Sequence, residues 1–170
     1  TDYKRVLISM FTEDKPFRKF IGFAGVSRQT VEKLQSQSFP RIWFNKAFDQ
    51  AIKIGQFSYY IPHTQKHLLK KKVIDFGTGK IPENSDGWHP EDNLFVKMVD
   101  HKGEFIGVIS VDMAKSGKKP SKESVRPLEI FSSLFSQIIL TRKRQDELQE
   151  AKQNADLANK QLLGVNRKLE

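Results

Sequence analysis

Two adjoining stretches set the terms for the whole chain. From Phe105 to Asp112 the residues are mostly β-branched or aromatic, the composition of a buried strand. From Ser121 to Glu170 the sequence keeps a helical period without interruption. Roughly 45 helical residues would extend about 65–70 Å, about twice the width of a small domain. The sequence therefore predicts a compact module carrying both strands and helices that ends in a long helix, and function is expected in the coupling between them.

The segments ahead of these complete the module. Tyr3–Phe11 and Phe17–Ala24 read as two short strands joined by a turn at Glu13–Pro16, an antiparallel hairpin with Gly22 and Gly25 at bulge or close-packing positions. Ser27 is placed to cap a helix that turns Val31 and Leu34 to one side. After Pro40, the spacing of Ile42, Trp43, Phe44, Ala47, Phe48, Ala51 and Ile52 predicts a second amphipathic helix closed by Gly55. Phe57–Ile61, Asn93–Val99 and Phe105–Asp112 are the remaining strands, the last two joined by a tight turn at Asp100–Gly103. His63 to His89 is irregular and holds Val73–Phe76 and a loop from Gly77 to Gly87. The order predicts an α+β fold: an antiparallel central sheet of about five or six strands with packed helices.

Ser121 or Ser124 caps the final helix, and Pro127 favours the later start, because a proline in the first turn removes no hydrogen bond. Phe131, Leu134, Phe135, Ile138 and Ile139 make a wide apolar stripe suited to packing on the sheet. Beyond Thr141 the stripe narrows. Leu148, Ala155, Leu162 and Leu169 recur every seven residues, with Ala151, Ala158 and Val165 between them, the two-position seam of a coiled coil. Residues 1–140 are thus expected to form the domain and 141–170 a coiled-coil linker, dimeric and most simply parallel.

Charge and cysteine content close off several classes. The net charge is +9, but from Thr141 onward seven Lys or Arg face five Asp or Glu, and the densest basic run is only Lys66–Lys72. No zinc-finger, basic-zipper or RNP pattern accompanies it, so nucleic acid is disfavoured as a partner. The absence of cysteine excludes disulfides, cysteine catalysis and thiolate metal sites. No apolar run reaches membrane-spanning length, and a cytoplasmic protein without membrane contact is expected. The chain opens on Thr1, which points to an excerpt of a longer protein. No nucleophile–base pair, metal-ligand spacing or phosphate-binding glycine loop is present, so the expectation is a domain with no catalytic residues and no metal site.

Tyr59-Tyr-Ile-Pro62, Trp88-His-Pro-Glu-Asp-Asn-Leu-Phe95, Gly103–Asp112 and Lys119–Phe131 together resemble a GAF domain, over about residues 3 to 140. The likeness is to GAF modules of prokaryotic sensor proteins, whose helix leads on to a histidine kinase or diguanylate cyclase. It implies a central antiparallel sheet, helices on one face forming a dimer bundle, and a small-ligand pocket on the other face; the family's usual first helix would precede Tyr3. Covalent bilin attachment and the methionine sulfoxide reductase branch need cysteine and are excluded. Asn45-Lys-Ala-Phe-Asp-Gln50 echoes the cyclic-nucleotide motif, but with the wrong spacing, last residue and place in the fold. Haem-binding members use an axial histidine. Of His63, His67, His89 and His101, only His63 and His67 flank the expected pocket mouth, and haem is disfavoured; the cofactor is left unknown.

The candidate pocket residues are Tyr59, Ile61, His63 and Trp88, with Ser110 and Asp112, which share one face of the last strand. An apolar cavity with a few convergent polar groups is the usual form of a small-ligand site; the alternative is that Tyr59 and Trp88 fill core and Asp112 caps the following loop. The dimer helix would use Phe131, Leu134, Ile138, Leu148, Ala151, Ala155, Ala158, Leu162, Val165 and Leu169. The expected function is a sensory input module of a two-component or similar signal-transduction protein. It would pass a ligand signal along the helix to an output domain outside this sequence. The alternatives are a ligand-free dimerisation module and, ranked lower, a nucleic-acid-binding domain.

Overall fold

The computed structural model describes residues 2–69 and 86–166. Lys70–Lys72 of the basic run, Val73–Phe76, the loop from Gly77 to Ser85 and Leu169 lie outside the described residues, as do the side chains of Leu162 and Val165. The fold is α+β. Six strands, β1 (Tyr3–Phe11), β2 (Arg18–Ala24), β3 (Ile52–Lys53), β4 (Ser58–Ile61), β5 (Asn93–Val99) and β6 (Phe105–Ala114), form one antiparallel sheet in the order β2-β1-β6-β5-β4-β3. Between β2 and β3 lie α1 (Arg28–Gln35) and α2 (Arg41–Phe48); a 3-10 stretch, His63–Leu69, follows β4, and α3 (Lys122–Asn166) follows β6.

The local signals act as the residues predict. The Ser27 hydroxyl accepts the Thr30 N–H at 3.2 Å, capping α1. Asp100 Oδ1 accepts from the N–H groups of Lys102 and Glu104, both at 2.8 Å, and Gly103 takes the left-handed conformation that closes the turn. A bulge falls opposite Ile8 and Ser9, where β2 carries Gly22.

Two expectations change. The second helix ends at Phe48, and Ile52 belongs to β3, paired with Tyr60. Its apolar spacing had continued the helical period, but strand pairing at the sheet edge wins over a final helical turn. At α3, Ser121 rather than Ser124 is the cap. The Ser121 hydroxyl accepts the Ser124 N–H at 3.3 Å, and the Ser124 hydroxyl accepts the Ser121 N–H at 2.8 Å. This reciprocal cap starts the helix a turn earlier than Pro127 suggests and leaves Pro127 inside it.

Strand pairing sorts the sheet residues onto two faces. Ser58, Val96 and Ile109 lie on one face, in register across β4, β5 and β6, as do Tyr60, Leu94 and Val111. The other face carries Tyr59, Phe95, Ser110 and Leu7. On this second face Phe39, Phe44, Phe48, Ile61, Leu69, Phe95, Phe105 and Val108 form the larger core cluster, and Leu7 with Val31 and Leu34 a smaller one. The first turns of α3 engage the opposite side, where Glu129 reaches Ser58 and the Ser132 hydroxyl donates to the Lys97 carbonyl at 3.0 Å. Val125, Leu128 and Ser132 are buried there, whereas Phe131 and Leu134 are exposed. Of the stripe expected to pack on the sheet, Phe131, Leu134 and Ile138 are exposed and Phe135 and Ile139 half-buried; the buried residues are Val125, Leu128 and Ser132, spaced by three and four and outside that stripe.

The chain divides into two compact units, Thr1–Leu134 and Phe135–Glu170. Within the second, every residue from Thr141 to Gln161 is exposed. No helix among the described residues is long and apolar enough to cross a membrane.

Candidate functional site

A cavity lies between the second sheet face and the two short helices. Its floor is Leu7, Phe95, Ser110 and the Arg5–Asp112 pair; its roof is Leu34 of α1 with Phe39, Trp43 and Phe44; Arg18 and Phe20 of β2 close one end. The cavity volume is about 50 Å³. That is far below the several hundred Å³ of pockets holding drug-sized molecules, and suits a ligand of a few heavy atoms.

Arg18 is the unusual wall residue. It is 7 % exposed. Its guanidinium stands 4.5 Å from the Phe20 ring centroid, 4.6 Å from that of Phe39 and 5.2 Å from that of Phe44. The Arg18 carbonyl accepts from Gln35 Nε2 at 2.5 Å, fixing the backbone. No carboxylate or carbonyl among the described residues accepts from the guanidinium. Burial pushes its pKa down to about 10, still well above neutrality.

Across the cavity, Arg5 donates to Asp112 Oδ2 at 3.2 Å and the Met113 N–H donates to Asp112 Oδ1 at 2.6 Å. Burial raises the Asp112 pKa, opposed by the Met113 N–H and Arg5. Met113 itself sits in the left-handed region, with φ 55°, so the strand breaks its alternation immediately after the carboxylate. Trp43 packs edge-on to Phe39 and Phe44, and its Nε1, a donor, is buried with no acceptor among the described residues.

Of the six residues expected to form the pocket, Ser110 and Asp112 line this cavity and the other four do not. Tyr59 shares the sheet face but stacks on Phe48, centroids 4.5 Å apart and 10° from parallel. Ile61 is fully buried in the aromatic cluster. Trp88 packs against Tyr3 and Tyr60 at 5.8 and 6.0 Å. His63 belongs to a separate cluster. Arg18 and Trp43 were not foreseen. Arg18 follows a turn and precedes Lys19, so nothing in the sequence separates it from a solvated charge.

The separate cluster is His63, His89 and Asp92, whose potential ligand atoms lie within 4.8 Å of one another. The hydrogen bonds of its carboxylate are already complete. Asp92 Oδ1 accepts from the His63 N–H at 2.8 Å and pairs with His63 Nδ1 at 3.1 Å. Asp92 Oδ2 accepts from the Tyr60 hydroxyl at 2.5 Å and the His89 N–H at 2.8 Å. His89 Nδ1 accepts the Glu91 N–H at 3.2 Å. A carboxylate has about four lone-pair sites, and all are used. The group clasps β4, the 3-10 stretch and the approach to β5, and Asp92 could serve a cation only by breaking that clasp. His67 and His101 are exposed.

No protein-family model, curated protein or solved structure matches this chain.

Proposed function

We propose that this chain is a sensory input module of GAF type. It binds a small ligand in the cavity under α1 and α2 and passes the change through α3 to an output domain outside this sequence. The observation that carries this reading is the placement of the cavity and the start of α3 against opposite faces of one sheet. A ligand contacting Ser110 or Asp112 acts on β6, whose partner strand β5 is held to α3 through Ser132. Binding, rather than catalysis, fits a site whose carboxylate is already paired.

The second element of the proposal is a parallel homodimer through α3. Phe131, Leu134, Ile138 and Leu148 are exposed in the single chain, and so are Ala151, Ala155 and Ala158. A helix exposed over this length has little stability of its own in water and needs a partner along its apolar stripe. Positions 131, 134, 138, 141, 145 and 148 step by three and four. The next step, to Ala151, is again three, and the alternation then resumes. Two successive steps of three are a stammer, which locally overwinds a coiled coil, and Leu148 is thus a natural point for a register change.

Light scattering together with a thermal-shift screen of neutral, cationic and anionic metabolites tests both elements. The expected result is a dimer that Leu134→Asp with Ile138→Asp converts to monomer, and at least one compound that raises the melting temperature. A monomer at micromolar concentration sinks the dimer. A dimer that no compound stabilises favours the alternative, a ligand-free dimerisation module.

A further inference from the structure

We propose that the cavity takes a small organic carboxylate, bound through the in-plane N–H groups of Arg18 with Trp43 Nε1 as a second donor. The inference rests on the ligand-sensing reading above and names the class of ligand.

The argument is one of unmatched donors. A guanidinium carries five N–H donors in its plane and no acceptor. Three aromatic rings surround that of Arg18, and no acceptor among the described residues meets the N–H groups themselves. A charged group this deeply buried is normally paired, because an unpaired one bears its full desolvation cost. Other buried charges keep to that rule: Arg5, across the cavity, is paired with Asp112, and Asp92, in the separate cluster, is fully bonded. Trp43 Nε1 repeats the pattern, as a buried donor lining the same cavity without an acceptor. Two donors without acceptors, on residues lining one cavity and one of them cationic, call for a ligand that supplies acceptors and negative charge.

Size and surroundings narrow the class. About 50 Å³ excludes nucleotides and sugar phosphates. The roof residues Leu34, Phe39 and Phe44 suit a short aliphatic or compact aromatic body. A planar carboxylate matches the guanidinium edge with two parallel hydrogen bonds. Inorganic phosphate has no apolar part for the roof to cover, and its second charge would be desolvated near Asp112.

Isothermal titration calorimetry at neutral pH, with acetate, propionate, isobutyrate and benzoate as probes, tests this against propionamide, isobutyramide and inorganic phosphate. At least one carboxylate is expected to saturate, at least tenfold more tightly than its amide. Arg18→Met is expected to weaken it by about thirtyfold or more, the scale of removing one partner of a buried charged pair. Arg18→Lys keeps the charge but not the fork and should fall between. Trp43→Phe, which removes the indole N–H together with part of the ring, should cost about tenfold. Should Arg18→Met fail to fold, the lysine and phenylalanine variants decide, and wild-type affinity in both overturns the proposal. It is equally overturned if amides bind as tightly as acids, if phosphate binds and no carboxylate does, or if no carboxylate saturates at tens of millimolar. Amide binding that Leu34→Trp abolishes would overturn the carboxylate and leave the ligand-sensing reading standing. Failure of every neutral, cationic and anionic probe would remove both.

Discussion

The Ser58 hydroxyl and the Phe57 N–H both donate to one oxygen of Glu129, each at 2.7 Å. That oxygen also marks why residue 55 is glycine, since a Cβ built there would stand 2.4 Å from it. A carboxylate on α3 thus holds the turn between β3 and β4, and the turn has been cleared to admit it.

Glu129→Ala should lower stability by about 2 kcal/mol, the scale of losing charge-assisted bonds to a strand end. Gly55→Ala should destabilise by pushing the same carboxylate off Ser58. Because both act through one contact, their effects should not add: urea denaturation of the double variant should show little cost from Gly55→Ala once Glu129 is gone. Full additivity would mean that the glycine is required for another reason.

Arg18→Met should raise the melting temperature of the ligand-free protein at neutral pH. The folded-state pKa of about 10 lies below the ordinary value of 12.5, so the protonated group opposes folding at every pH below about 10. That opposition fades only as pH rises through 10 toward 12.5. Methionine keeps contact with the three rings and has no charge to bury. A gain of about 1 kcal/mol, or about 3 °C, is expected by scanning calorimetry. A lower melting temperature would show that the ring contacts outweigh the burial of the charge.

Alkaline pH should unfold the protein through its tyrosines. Burial raises Tyr3 to about 12, and raises Tyr59 and Tyr60 as well, with Asp92 adding to the shift of Tyr60. Each folded pKa exceeds the unfolded value of about 10, so the contribution is complete below pH 10 and declines as pH rises from about 10 to 12. Ultraviolet titration should find the native protein carrying less tyrosinate at about pH 10.5 than the urea-unfolded chain. A native curve matching the unfolded one would contradict the burial of these hydroxyls.

Asp92→Asn should cost about 3 kcal/mol, because it replaces an acceptor of four hydrogen bonds, wholly buried, by a group that turns donors toward donors. Zinc or a chelator should leave the wild-type melting temperature unchanged, since the lone pairs of the Asp92 carboxylate are spent internally. A rise with equimolar zinc would identify a cation site instead.

Local chemistry made much of the fold readable in advance. Ser27 and the Asp100–Gly103 turn act through their own side chains and backbone angles, so their neighbours in sequence suffice. The strands Tyr3–Phe11 and Phe105–Asp112 carry enough β-branched and aromatic residues to be seen directly, and the antiparallel sheet follows from their order. Ser110 and Asp112 reached the cavity because a two-residue period places both on one face. Features that depend on distant partners were less legible. Ile52 has a helical spacing, and only the edge of β4 makes it a strand. Tyr59 and Trp88 have the composition of pocket residues, but Phe48 stacks on one and Tyr3 with Tyr60 enclose the other. Arg18 is the clearest case. Sequence determines that position 18 carries a permanent charge on a short strand beside a turn. Tertiary structure alone decides that Phe20, Phe39 and Phe44, drawn from three places in the chain, close around it and leave its donors unmatched.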